Sequence, residues 1–315
     1  MKITIFESES IFGTSLSRKV LEELGRVQFF GKVPQDEVAA CVGDSEAVLC
    51  SKIRFTPEIM DACKHLRYIG LMATGYNNID LAAAKERGIV VTNIPDYSAA
   101  AVSQHTIALI LQFATSLIRY HNSTQNGDWT RSPIFCYFPY EMCELQGKTL
   151  GLLGLGSIGK RVAKIAEALG MRVIYHARSA KEVPYEKVPL ERLFAESDFL
   201  SLHCPLTEET EKIVNETSLS LMKRSAFLIN TARGGLIDEA ALAKALKEDR
   251  LAGFGADVLT EEPQSKTCPL IGVKNCVLTP HVAWAPPETR KRLISILTEN
   301  FLAFERGEPQ NVVNS

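Results

Sequence analysis

The chain has 315 residues, 46% of them apolar and 23% charged, with 35 Lys plus Arg against 37 Asp plus Glu. That length exceeds one ordinary core, since domains usually run to roughly 100 to 200 residues, so two are expected, and the balanced charge offers no basic field for nucleic acid or an anionic membrane. The sequence shows no apolar run near the roughly 20 residues of a membrane span, no signal-peptide pattern, and eight cysteines without C-x-x-C or zinc-like spacing, so a cytoplasmic protein with reduced thiols and no metal site is expected.

Residues 2–6 read as a strand, followed by a helical pattern to Leu24, a strand at 47–50, a helix, and strands at 68–71 and 90–91. This alternation predicts a parallel sheet with crossover helices. Residues 99–122, rich in Ala, Ile and Leu, predict one long helix, and an aromatic loop around Trp129 follows it. A second series predicts strands at 149–153, 173–176, 199–203, 226–230, 253–257 and 276–278, enough for a complete doubly wound sheet. The last helix, 287–306, is expected to pack back on the N-terminal domain. The fold class is therefore α/β with two doubly wound parallel-sheet domains. A Rossmann cofactor domain over 99–285 is inserted in a flavodoxin-like substrate domain made of 1–98 and 286–315.

The strand at 149–153 leads into Gly154-Leu155-Gly156-Ser157-Ile158-Gly159 and then a segment of helical periodicity. Gly154 permits a tight turn, Gly156 lets backbone approach a pyrophosphate, Gly159 allows helix to pack on strand, and the amides of Ser157 and Ile158 open the helix toward phosphates. The second strand ends near Ala177, where a site for NAD would place a carboxylate for the ribose hydroxyls. Arg178 and Ser179 come next, a guanidinium and a hydroxyl suited to a 2′-phosphate. NADP(H) is the expected cofactor, with NAD(H) also accepted.

Three patches that follow predicted strands carry Arg233, Glu262 and His281. The carboxyl ends of strands in an open α/β sheet line the ligand crevice, so the three are expected to converge there. Arg offers a planar fork to a carboxylate and keto oxygen, His transfers a proton near neutral pH, and a neighbouring Glu orients the ring and favours its charged form. His105 and His203 are read as packed, hydrogen-bonded histidines, and Cys204 as a strand-end thiol.

From about residue 40 to Val313 the sequence resembles the D-isomer-specific 2-hydroxyacid dehydrogenase family. Asn-Thr-Ala-Arg233-Gly-Gly, Asp257-Val-x-x-x-Glu262-Pro and Thr-Pro-His281 match its catalytic motifs in order and spacing. The segments 73–77, 103–106, 135–138 and 281–284 are most similar to its glycerate dehydrogenase, or hydroxypyruvate reductase, branch. The resemblance implies reduction of a small 2-keto acid, such as hydroxypyruvate or glyoxylate, to a D-2-hydroxy acid. It also implies cofactor contacts at Cys204, Pro205, Thr210, Thr231, Ala232, Asp257 and Ala283, and substrate contacts at Ala73, Thr74, Gly75, Arg233 and His281, while Trp284 is expected to border the substrate from its place beside His281. Ala177 departs from the family's usual acidic residue. Two rivals stay open: a 3-phosphoglycerate or other D-2-hydroxyacid dehydrogenase, and a cofactor-sensing binding protein on the same fold. The apolar 99–122 helix and the loop after it predict a two-fold homodimer.

Overall fold

The computed structural model describes residues 1–13 and 16–315, and it divides into two compact units, Met1–Ser98 with Trp284–Ser315, and Ala99–Ala283. In the first unit β1 (Lys2–Phe6), α1 (Ser8–Phe12), α2 (Lys19–Glu22), β2 (Arg26–Phe30), α3 (Val38–Val42), β3 (Ala47–Cys50), α4 (Pro57–Ala62), β4 (Tyr68–Leu71), α5 (Leu81–Glu86) and β5 (Val90–Thr92) follow in turn. The expected helix to Leu24 is instead the two short helices α1 and α2, with 14–15 between them outside the described residues. Strand β2 was not anticipated. Its Arg-Val-Gln-Phe-Phe run is only half-buried at the edge of the sheet, so it lacks the continuous apolar signature of a central strand.

All five strands pair in parallel in the order β2-β1-β3-β4-β5. The chain reverses direction across the sheet between β1 and β3, which makes their carboxyl ends the switch point.

The second unit begins with α6 (Ala99–Thr115) and α7 (Leu117–Gln125), where one helix was expected. The two are bent by 60°. Ser116 takes a left-handed φ of 51° and donates its hydroxyl to the carbonyl of Glu141, while the Gln112 side chain accepts from the amide of Ile118, so the helix restarts there in a new direction. Then come β6 (Thr149–Leu153), α8 (Ser157–Ala168), β7 (Arg172–His176), β8 (Glu186–Lys187), α9 (Leu190–Glu196) and β9 (Phe199–Leu202). The series closes with α10 (Glu216–Leu221), β10 (Phe227–Asn230), α11 (Glu239–Lys247), β11 (Gly253–Ala256) and β12 (Cys276–Leu278). Every pair is parallel, in the order β12-β11-β10-β9-β6-β7-β8. This is the doubly wound order with its switch point between β6 and β9.

The chain leaves this unit between Ala283 and Trp284, where 285 and 286 were expected. Ala283 is buried with its amide on the Asp257 carboxylate, whereas Trp284 packs against the core of the first unit. Helix α12 (Pro287–Glu305) lays Leu293, Ile294, Leu297 and Phe301 on that core beside Ile3, Ile5 and Tyr68. Among the described residues no single helix is long and apolar enough to cross a membrane.

Candidate active site

The turn after β6 is shaped by what its glycines exclude. A Cβ on Gly154, whose φ is 96°, would fall 2.6 Å from the backbone of His203 and Cys204, and one on Gly159 would fall 2.7 Å from the Gly154 carbonyl. Side chains there would force the turn away from β9 and from its own helix. A Cβ on Gly156 would meet nothing within 4 Å. Backbone is thus exposed to open space directly before the first turn of the 12-residue α8, whose leading amides have no partner within the helix. Ser157 is exposed and Ile158 half-buried at that end. A cradle of this kind fits a dinucleotide pyrophosphate.

At the end of β7, Ala177 is half-buried and Arg178 and Ser179 are exposed. The Arg178 guanidinium, 81% exposed, lies 3.8 Å from the carboxylate of Glu209. Glu209 was not singled out from sequence, since nothing local marks an acid that is brought to Arg178 only by the fold. The loop after β9 is closed by Thr210, whose hydroxyl accepts from the amide of Thr207 and donates to the carbonyl of Pro205. Burial pushes the Cys204 thiol up to about 11, so it is no nucleophile at neutral pH. The His203 ring is hydrogen-bonded to Ser201, and its burial pushes it down to about 4, which keeps it uncharged.

Arg233, Glu262 and His281 follow the carboxyl ends of β10, β11 and β12. After β10, the fully buried Asn230 ties the loop to itself, with Oδ1 accepting from the amide of Ala232 and Nδ2 donating to the carbonyl of Arg233. Thr231, also buried, shares a hydrogen bond with Thr106. Arg233 turns one guanidinium nitrogen back to the carbonyl of Ala232, and among the described residues no carboxylate forms an ion pair with it. Its remaining donors are left for a ligand.

After β11, Glu262 divides its carboxylate. Oε1 accepts from the amide of Leu259, and Oε2 lies 2.6 Å from Nδ1 of His281. A carboxylate can only accept, so Nδ1 carries the proton and Nε2 is left as the ring nitrogen that can take up or release one. His281 has a left-handed φ of 55°, and its amide donates to the carbonyls of Asp257 and Thr279.

Asp257, expected among the cofactor contacts, is 2% exposed, and its carboxylate organises the His281 loop. Oδ1 accepts from the hydroxyl of Thr279 and the amide of Val282, and Oδ2 accepts from the amide of Ala283. Because the Thr279 hydroxyl is spent on Asp257, Nε2 of His105 donates to Thr279, and the ring also lies 3.7 Å from Asp257. Asn230 and Thr279 were legible only as neighbours of Arg233 and His281. Their work is backbone support, which leaves no sequence signature beyond adjacency.

In the first unit the residues Ala73, Thr74 and Gly75 follow β4. The carbonyl of Ala73 accepts from the amide of Ile94, the carbonyl of Thr74 accepts from Nδ2 of Asn93, and the Thr74 hydroxyl donates to the carbonyl of Ile94. Among the described residues the amides of 73–77 donate to nothing in the chain. Carbonyls turned inward and amides left open make a nest for an anion such as a carboxylate.

The family model described as "D-isomer specific 2-hydroxyacid dehydrogenase, NAD binding domain" matches residues 107–283. The chain is 39% identical to a hydroxypyruvate reductase of Blautia hydrogenotrophica over 100% of both chains. It is 40% identical to a glycerate dehydrogenase of Methylorubrum extorquens over 89% of each. Among solved structures it is similar to an NADPH-dependent glyoxylate/hydroxypyruvate reductase of Sinorhizobium meliloti in complex with NADP and malonate. That likeness has a TM-score of 0.86 and 32% identity, and covers 99% of this chain and 96% of that one.

Proposed function

The chain belongs to the D-isomer specific 2-hydroxyacid dehydrogenases, and we propose that it reduces glyoxylate or hydroxypyruvate to the corresponding 2-hydroxy acid, with Arg233, Glu262 and His281 as its catalytic set. The observation that carries this reading is the 2.6 Å contact of Glu262 with His281 Nδ1, which leaves Nε2 as a proton donor beside strand ends that also carry the Arg233 guanidinium. The unit Ala99–Ala283 binds the dinucleotide along Gly154, Gly156 and the start of α8, and the other unit receives the substrate carboxylate at Ala73, Thr74 and Gly75.

When bound, the reduced nicotinamide supplies the hydride. His281 delivers its Nε2 proton to the keto oxygen, and Glu262 stabilises the imidazolium in the orientation that the transfer needs. Arg233 meets the same oxygen and the adjacent carboxylate through its planar fork, offsetting the negative charge that develops on reduction. Asp257, Thr279 and His105 hold the backbone that carries His281.

NADP(H) is the better fit of the two dinucleotides. Ala177 removes the carboxylate that would repel a 2′-phosphate from the end of β7, and a 2′-phosphate would draw Arg178 from its exposed contact with Glu209, which is worth little in water. The gain for a phosphate over a hydroxyl is at most roughly 10- to 150-fold in affinity, since the Arg178 side chain is largely in solvent. Steady-state kinetics with glyoxylate, hydroxypyruvate, pyruvate and phosphohydroxypyruvate, each with NADH and NADPH, test the reading. The first two keto acids with NADPH are expected to give the highest kcat/KM. A preference for phosphohydroxypyruvate would move the enzyme to the phosphoglycerate branch, a preference for NADH would mean that Arg178 stays with Glu209, and tight dinucleotide binding without turnover would leave a sensor.

A homodimer about a two-fold axis completes the reading. Leu117, Ile118, Ile134, Phe138 and Phe135, the last 90% exposed, lie close together in sequence on α7 and the loop beyond it, more apolar surface than a monomer ordinarily leaves in water. Light scattering at micromolar concentration is expected to give twice the chain mass, and Phe135→Asp with Phe138→Asp is expected to halve it. A wild-type monomer would refute the proposal.

A further inference from the structure

Three asparagines far apart in sequence close a ring of hydrogen bonds beneath the Ala73–Thr74–Gly75 loop. The amide of Asn93 donates to the carbonyl of Asn311 at 3.2 Å. Nδ2 of Asn311 donates to Oδ1 of Asn300 at 2.8 Å, and Nδ2 of Asn300 donates to the carbonyl of Asn93 at 2.9 Å. Asn300 is fully buried on α12 and Asn93 nearly so after β5. One side-chain donor points out of the ring. Nδ2 of Asn93 reaches out of it to the carbonyl of Thr74 at 2.7 Å.

Each Nδ2 in this arrangement faces a carbonyl oxygen, so all three side-chain amides have one orientation that satisfies them. Aspartate at any of these positions would set an acceptor against an acceptor, and a shorter side chain would leave a buried polar group unpaired. A cation could hold the same carbonyls, but an amide does so without placing a charge under the loop. The ring also reaches the C-terminal segment. Val312 bridges Thr92 in the antiparallel sense, Val313 donates to the carbonyl of Val91, and Asn314 exchanges hydrogen bonds with Val91 and Ile89. The segment is thus docked alongside β5, and Asn311, with a left-handed φ of 54°, is the residue that turns from it into the ring.

We propose that the Asn93–Asn300–Asn311 ring is a positioning device for the substrate carboxylate. By holding the Thr74 carbonyl inward it keeps the amides of the 73–75 loop turned outward, and of the C-terminal segment it recruits Asn311 alone to support the substrate site. The inference rests on the reading of that loop as the carboxylate nest. The three asparagines touch no substrate; they act through the backbone of Thr74.

The test compares three variants of the full chain. Asn93→Asp replaces the donor to Thr74 with an acceptor. Asn311→Gly tolerates the left-handed backbone and removes only the side chain. Asn314→Ala loosens the same terminal segment without touching the ring. The first two are expected to raise KM for glyoxylate and hydroxypyruvate roughly ten-fold, the scale of one lost buried hydrogen bond. Their kcat and their KM for the dinucleotide should stay within about two-fold. Asn314→Ala is expected to lower Tm as Asn311→Gly does, yet leave KM for the keto acid at the wild-type value.

Calorimetric binding of oxamate, a 2-keto-acid analogue that needs no turnover, should weaken by the same factor in the first two variants alone. The proposal is overturned if Asn311→Gly leaves keto-acid KM and oxamate affinity unchanged, or if all three variants lose keto-acid affinity in proportion to their Tm. Should Asn93→Asp fail to fold, Asn311→Gly decides. A wild type that binds oxamate but reduces no keto acid would remove the proposed reaction and leave the ring to be judged on oxamate affinity.

Discussion

His281→Asn is expected to lower kcat with glyoxylate by roughly 10²- to 10⁴-fold, the usual contribution of a positioned general acid, while dinucleotide affinity and Tm stay near wild type. Asparagine is the informative substitution because of the backbone. His281 sits at a φ of 55°, a left-handed conformation that Asn and His tolerate and Ala adopts at a cost of about 1 to 2 kcal/mol. His281→Ala would therefore mix strain with chemistry. Asparagine keeps the amide that donates to Asp257 and Thr279, and it removes only the group that can take and release a proton. The loss should fall on kcat, because proton transfer to the keto oxygen is made in the transition state and not in the ground-state complex. The measurement is kcat at neutral pH beside dinucleotide binding followed by fluorescence. A variant with wild-type kcat would take His281 out of the mechanism and leave its contact with Glu262 as a structural ion pair.

The parts of this site that could be read from sequence are those whose chemistry is carried by residue type in a local frame. Gly154 and Gly156 sit between a buried strand and a helix and Gly159 in that helix's first turn, and Arg233, Glu262 and His281 each follow a strand, so a short stretch of chain carries the signal in every case. What could not be read depends on residues brought together by the fold. Asn300 and Asn93 are 207 positions apart, and nothing local to either marks the other as its partner. Ser116 breaks a pattern of good helix formers where Glu141 offers its carbonyl from the far end of a loop and Gln112 takes the amide of Ile118. Strand β2 shares its face with solvent and shows no clear alternation. Asp257 shows the converse. Its place in a motif was plain, but its 2% exposure and its bonds to Thr279, Val282 and Ala283 define what it does.

The sharpest structural demand lies one residue past the arginine. A Cβ on Gly234 would stand 1.9 Å from the carbonyl carbon of Leu259, 2.2 Å from its oxygen and 2.2 Å from the amide of Thr260. These are backbone atoms, held in turn by Glu262 on the amide of Leu259 and by Glu239 on the amide of Thr260, so no rotamer change relieves the overlap. Gly234→Ala must drive apart the loop that carries Arg233 and the loop that carries Glu262. Overpacking of this kind costs about 1 to 3 kcal/mol, and a displacement near 1 Å in a catalytic array costs about 10²-fold in rate. The expected result is a lower Tm together with at least a roughly 10²-fold loss of kcat/KM for glyoxylate. Gly235→Ala is the control, because a Cβ there meets only the end of the Leu206 side chain, at 2.9 Å, and that chain can turn aside. It should keep most of the activity. If Gly234→Ala and Gly235→Ala behave alike, the spacing of the two loops does not limit catalysis, and the contact between Glu262 and His281 forms whether or not the Arg233 loop presses against its neighbour.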